Sequence, residues 1–167
     1  MWPGASQAVA GSSLIGLAVG GAVPVGELRD RHSAGVTAGL RFVYEQPSGL
    51  DLSLWLDAQR LFARELQGFE LAEDMTIFAF GAGVRRRFSR PARAAPYLEA
   101  GGGNYRLELP DEFIERKFGV YGRAGVQYSL SSSWALAGDL SFHYVFTDRF
   151  IDRAAWLRFG AELLFRL

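Results

Sequence analysis

Three observations in the sequence predict an all-β fold, an eight-stranded antiparallel up-and-down barrel. Eight stretches of about a dozen residues alternate apolar with polar or small side chains, the connections between them alternate short and long, and the number of stretches is even. A period of two is that of a strand, whose successive side chains point to opposite faces. Alternating short and long links give a meander whose two ends differ in character, and an even count brings the first and last strands together. Closure removes the edges that would otherwise pair with another chain.

The elements follow in order. Residues 13–23 are rich in glycine and alanine, which lowers the contrast between faces. In 34–44, Ala34, Val36, Ala38, Leu40, Phe42 and Tyr44 oppose Gly35, Thr37, Gly39, Arg41 and Val43. In 50–59, Leu50, Leu52, Leu54, Leu56 and Ala58 oppose Asp51, Ser53, Trp55, Asp57 and Gln59. Residues 75–87 and 94–108 run through glycines in the same rhythm. Then Phe118, Val120, Gly122, Ala124, Val126 and Tyr128 oppose Gly119, Tyr121, Arg123, Gly125, Gln127 and Ser129. Trp134, Leu136, Gly138, Leu140, Phe142, Tyr144 and Phe146 oppose Ala135, Ala137, Asp139, Ser141, His143 and Val145. In the last stretch, Ala155, Leu157, Phe159, Ala161, Leu163, Phe165 and Leu167 oppose Trp156, Arg158, Gly160, Glu162, Leu164 and Arg166. The apolar face is intact to the final residue, so the C-terminus is expected to be structural, with no tail or domain after it.

Links 45–49, 89–93 and 131–133 are short and rich in Pro, Gly or Ser, as tight hairpin turns require. Links 24–32, 64–74, 109–117 and 147–154 are longer and charged. Residues 12–167 make one barrel domain with no room for a second. Ala8, Val9 and Ala10 have the character of a signal-cleavage site without the basic start and apolar core before it. Residues 1–11 are therefore set aside as a signal remnant or a disordered leader.

The side-chain distribution decides between water and lipid. A soluble barrel hides its apolar face, whereas a membrane barrel turns it outward, and the lumen of eight strands is barely wide enough for its own side chains. Here the polar phase mixes glycine with charges of both signs, and the other phase carries the large Leu and Phe residues. Tyr44, Phe118, Tyr128, Trp134, Tyr144 and Phe146 fall at strand ends, where a membrane barrel places its aromatic girdles. Each stretch reaches the roughly 9 to 11 residues a tilted strand needs to cross the hydrocarbon. The expectation is a transmembrane barrel.

Charge excludes one partner class. Lys+Arg 18 and Asp+Glu 18 cancel, so no basic field recruits nucleic acid. No cysteine is present, and no apolar run approaches the ~18 residues of a membrane helix. Arg85, Arg86, Arg87, Arg90 and Arg93 surround one short turn. Read plainly they are a solvated turn; read functionally they touch anionic lipid or another envelope component.

The glycine-rich strands, the run Ala95-Pro96-Tyr97-Leu98-Glu99-Ala100-Gly101 and the ending Phe165-Arg166-Leu167 resemble the small outer-membrane β-barrels of the OmpA, OmpX and OmpW kind. The resemblance implies a bacterial outer membrane, secretion by a signal peptide, short turns in the periplasm and longer loops outside. It implies contact with membrane lipids and lipopolysaccharide, and insertion by the barrel-assembly machinery. That machinery reads a terminal Phe or Trp in the family; Leu167 departs from this, with Phe165 and Phe159 keeping the apolar register.

Three functions compete. The first is a non-enzymatic anchor, structural element or loop-presenting surface with a closed charged lumen, open to an envelope or extracellular partner through its loops. Its lumen would hold Arg41 against Asp51, and a diagonal ladder of Arg85, Glu99, Arg123 and Asp139, with Arg158 and Glu162 on the same face. The second is an outer-leaflet lipid-modifying enzyme of deacylase or acyltransferase type, for which Asp139, Ser141 and His143 are the candidates. A serine and histidine two residues apart stand roughly 7 Å apart along a strand face, which makes their direct bonding awkward, and that face points into the lumen. The third is a small-molecule conduit or binding barrel with a mouth lined by Phe69, Leu71, Phe113 and Ile114. No catalytic, metal or cofactor constellation is expected under the first reading.

Overall fold

The computed structural model describes residues 11–66, 69–70, 73–88, 93–108, 114–147 and 153–167. Along them run β1 (Ser12–Val25), α1 (Glu27–Arg31), β2 (His32–Glu45), β3 (Leu50–Ala63), β4 (Glu65–Leu66), β5 (Phe69–Glu70), β6 (Met75–Arg87), β7 (Ala94–Glu108), β8 (Ile114–Ser129), β9 (Trp134–Phe146) and β10 (Arg153–Arg166). The short β4 and β5 pair with each other. The other eight strands close into one antiparallel barrel in the order β1-β10-β9-β8-β7-β6-β3-β2. The seam runs from Leu14 opposite Arg166 to Val25 opposite Ala155.

Alternation along the strands becomes inside and outside. Leu17, Leu54, Phe80, Leu98, Leu140 and Phe159 stand on the outer surface, while Asp51, Asp57, Glu99, Arg123, His143 and Arg158 are buried within. A strand has only these two phases, so a one-residue slip would put every charge on the apolar surface. Tight turns set the phase. Gly49, at φ 77, donates its N–H to the Gln46 carbonyl at 3.0 Å, a left-handed position that suits glycine. Between β8 and β9, Ser131 Oγ accepts from the N–H groups of Ser133 and Trp134 at 3.2 and 3.1 Å.

The long-link end departs from the sequence expectation in each of its four links. Links 24–32 and 64–74, read as loops, contain α1 and the β4–β5 hairpin. β8 starts at Ile114 and β10 at Arg153, inside links read as 109–117 and 147–154, because the backbone ladders continue past the apolar belt, as in Glu108 opposite Ile114 and Phe146 opposite Arg153. Helix α1 is one turn with a purpose: Leu28 is fully buried and packs into the loop-end core with Leu61, Met75, Ile77, Leu107, Val145 and Ala154. Arg64 ties it down, its N–H on the Arg31 carbonyl at 3.1 Å and its guanidinium on the Arg29 carbonyl at 3.0 Å.

Candidate functional site

The barrel interior is where charges, hydroxyls and an imidazole converge, and it is layered from the short-turn end upward. At that rim Arg87 holds Asp51 at 2.5 Å and Glu45 at 3.1 Å, and Arg166 reaches Glu45 at 3.1 Å. Ser12 donates to Glu45 at 3.0 Å and Gln127 does so at 3.2 Å. Arg85 donates to Gln127 and lays its guanidinium 3.8 Å from the centre of the Tyr97 ring, a cation–π contact strengthened by the burial of both residues.

The middle layer is ionic. Arg41 grips both oxygens of Asp57 at 2.9 and 3.1 Å and reaches Glu162 at 2.8 Å, the two-pronged geometry that makes arginine the strongest carboxylate partner. Arg123 sits among three acids, 3.5 Å from Glu162 and 3.7 Å from both Glu99 and Asp139. Arg158 approaches Asp139 at 3.4 Å and Thr37 Oγ1 at 3.4 Å. Glu99 also accepts from Tyr121 at 2.6 Å and Ser53 at 2.9 Å. Among the described residues, Asp51, Asp57, Glu45, Glu99, Asp139 and Glu162 are the buried acids and Arg41, Arg85, Arg123 and Arg158 the buried arginines. The half-buried Arg87 and Arg166 at the rim supply the balancing charge.

Above the ions lies an aromatic layer. His143 Nδ1 meets the Tyr105 hydroxyl at 2.9 Å and its Nε2 meets Ser141 Oγ at 3.1 Å. Its ring stacks on Trp156, centroids 5.3 Å apart, and on Tyr121 at 5.6 Å, with Trp55 edge-on at 5.9 Å. Glycine makes the room. A side chain at Gly103 would put its Cβ 3.0 Å from the Trp55 ring, and one at Gly101 would put it 2.8 Å from Tyr121.

Three expectations need correction. Arg41 does not meet Asp51; it pairs with Asp57 and Glu162, and Asp51 pairs with Arg87. The hairpin register sets Arg41 opposite Trp55, so Asp57 is its diagonal neighbour and Asp51 lies at the far rim. Ser141 and His143 are hydrogen-bonded, with the imidazole held between the Tyr121 and Trp156 rings and on the Tyr105 hydroxyl. Asp139 turns away to Arg158 and Arg123, so the carboxylate does not reach the imidazole. Arg85, Glu99, Arg123, Asp139, Arg158 and Glu162 all face the lumen. Arg85 stands directly opposite Glu99, and Glu99 opposite Arg123, rather than on diagonals.

The arginine run divides by phase. Arg85 and Arg87 turn in, Arg86 and Arg93 are exposed, and Arg90 lies outside the described residues. The rim cluster of Arg87, Glu45 and Arg166 was absent from the sequence reading; its signal was that Arg85 and Arg87 share a phase with Glu99. Of the expected mouth, Leu71 and Phe113 and the side chains of Phe69 and Ile114 lie outside the described residues. Tyr44, Tyr128 and Trp134 ring the short-turn end on the outer face, and Phe118, Tyr144 and Phe146 the other, with Phe118 and Phe146 stacked at 6.4 Å.

Similarity to solved structures is extensive in shape and slight in sequence. The chain superposes on Neisserial surface protein A with a TM-score of 0.71 at 14% identity, covering 93% of this chain and 97% of that one. It matches the outer membrane protein OprG of Pseudomonas aeruginosa with a TM-score of 0.61 at 14% identity, covering 93% and 96% of the two chains. It matches the outer membrane protein W of E. coli at 0.57 and 15% identity, covering 95% and 98%. This chain has the fold of the small outer-membrane β-barrels. No family model matches it, and no curated protein matches it by sequence.

Proposed function

We propose that this chain is a closed, non-conducting barrel of the bacterial outer membrane that anchors and presents its long connections at the cell surface, with the short turns in the periplasm. The observation that carries this reading is the filled lumen. From Arg87 at one rim to Leu28 at the other, the interior is occupied in turn by ion pairs, stacked rings and apolar side chains. A solute path would have to part buried ion pairs, and leaving one such partner alone costs about 3 to 5 kcal/mol.

The outer face supports the location. Large apolar side chains stand exposed on it between two aromatic girdles, which suits membrane lipid around the waist and lipopolysaccharide beside the loop end. Insertion by the barrel-assembly machinery fits the β10 register of Phe159 and Phe165. The charged long links suit a polar envelope or extracellular partner.

We read the barrel as non-enzymatic. Ser141 and His143 are enclosed by Trp55, Tyr105, Tyr121 and Trp156, and the carboxylate that would orient the imidazole is engaged elsewhere. An acyl chain in the bilayer lies on the other side of the wall. Planar-bilayer recording of the purified barrel tests the proposal: the expected trace has no discrete steps above background. Regular steps would favour the conduit, and acyl release from lipid A by the same preparation would favour the enzyme.

A further inference from the structure

We propose that the outer wall carries a seat for one anionic phospholipid, with its phosphate on Arg86 and an acyl chain in a groove floored by Ala100, Gly122 and Ala124. The inference rests on the reading that the chain spans a membrane, and it adds a defined ligand to a surface that would otherwise meet lipid at random.

The groove follows from register. Arg86, Leu98, Ala124 and Leu140 stand in one cross-strand row, and Val84, Ala100, Gly122 and Phe142 in the next. Ala124 in the first row and Ala100 and Gly122 in the second are small, and larger side chains, Leu98 among them, border them, which leaves a trough of about 560 Å³. Of the outward glycines on this barrel, Gly21 is roofed by the Phe159 ring and Gly102 by the Phe118 ring, the usual way of shielding a glycine in a sheet, whereas Gly138 on β9 and Gly122 on β8 are open. A Cβ built on Gly122 meets nothing within 4 Å.

One end of the trough is charged. Among the described strand residues at the short-turn end, Glu45, Asp51, Arg87 and Arg166 turn toward the lumen, and Arg86 alone presents its charge to the outside. Its NH1 donates to the Ser48 carbonyl at 3.2 Å. A guanidinium has about five N–H donors in a fork that matches phosphate.

The groove and the leaflet also agree in direction. Strands of such barrels tilt by about 35 to 45°, so a groove running across them slants from the rim toward the middle of the bilayer. From Leu50 to Leu157 it crosses the wall in interstrand steps of about 4.8 Å, roughly 24 Å in all, against about 15 Å for half of the hydrocarbon core crossed straight. Because Arg86 marks the short-turn rim, the ligand belongs to the periplasmic leaflet, whose anion is a phospholipid phosphate. Lipopolysaccharide phosphates lie at the opposite end.

Native mass spectrometry of the folded barrel released from detergent, titrated with phosphatidylglycerol or phosphatidylcholine, tests the seat. One phosphatidylglycerol should be retained about tenfold more tightly than phosphatidylcholine. Gly122→Phe fills the trough and Arg86→Gln removes the fork, and each should weaken retention by about tenfold; Gly122→Leu serves if the larger ring impairs folding. Gly138→Phe, at an outward glycine on β9 beyond the groove, should bind as the parent does. Equal retention by all variants, equal loss in Gly138→Phe, or a dimer that covers the groove would each overturn the seat. Failure of the parent chain to fold in detergent or vesicles would instead overturn the membrane reading beneath it.

Discussion

Arg41 is the residue on which the lumen turns, because it joins β3 to β10 through β2: two bonds reach Asp57 and one reaches Glu162. Removing it takes from buried Asp57 its close ion-pair partner and leaves Glu162 with Arg123 alone. Arg41→Ala should lower the unfolding free energy in lipid vesicles by about 3 to 5 kcal/mol. Removing Asp57 as well should cost less than the two single losses added together, since the second change removes a charge already stranded; additive losses in urea titrations would show the pair to be uncoupled. The outer face obeys the opposite chemistry. Leu54 and Leu140 are more than half exposed on the apolar surface at mid-strand, so Leu54→Arg or Leu140→Arg should each destabilise the barrel by about 2 to 4 kcal/mol in a bilayer, the range for arginine near the midplane. Asp57 was visible in the sequence as a polar-phase residue, but its choice by Arg41 over Asp51 was not. Spacing along one strand says which face a residue takes, and only the register with the next strand says whom it meets.

At the scale of elements, the long-link end carries the features that periodicity could not reveal. A five-residue helix has no period to read, and its role depends on where Leu28 lands. The link between β3 and β6 is held by Asp74, which accepts the Ala63 N–H at 2.7 Å and the Arg60 guanidinium at 2.8 Å. The Ala63 N–H first, and Arg60 with it, hold the Asp74 carboxyl below the usual carboxylate range. A depressed folded value means that the clamp is complete above the unfolded carboxylate pKa and is lost as the pH falls through the folded one. Asp74→Asn should therefore speed proteolysis within residues 64–74 at neutral pH. In the parent chain, acidification should do the same, read as cleavage rate by an acid-tolerant protease. Protease added to intact cells should reach residues 64–74 or 109–117 and spare 45–49. Cutting confined to the short turns would reverse the orientation.

Across the whole molecule, two phases with opposite solvents make the barrel, and a lipid-confined quencher reads them directly. The chain has no native cysteine, so single labels can be placed at will: probes at Leu54 and Leu140 should be quenched strongly, and probes at Asp57 and Gln127 should be protected. An inverted pattern would mean an apolar interior and a soluble barrel. Strand number, phase, turn positions and the outward set of Leu and Phe were all legible in the sequence, because a period of two is a local property that survives whatever the strand pairs with. Glycine at alternate positions likewise announced a crowded interior. What the tertiary structure decided was partnership: Arg41 with Asp57, Arg87 with Glu45 and Asp51, Ser141 with His143, and Leu28 in the loop-end core. Those contacts join residues distant in the chain or set by side-chain crowding, and they depend on cross-strand registers and on closure, which no single strand encodes.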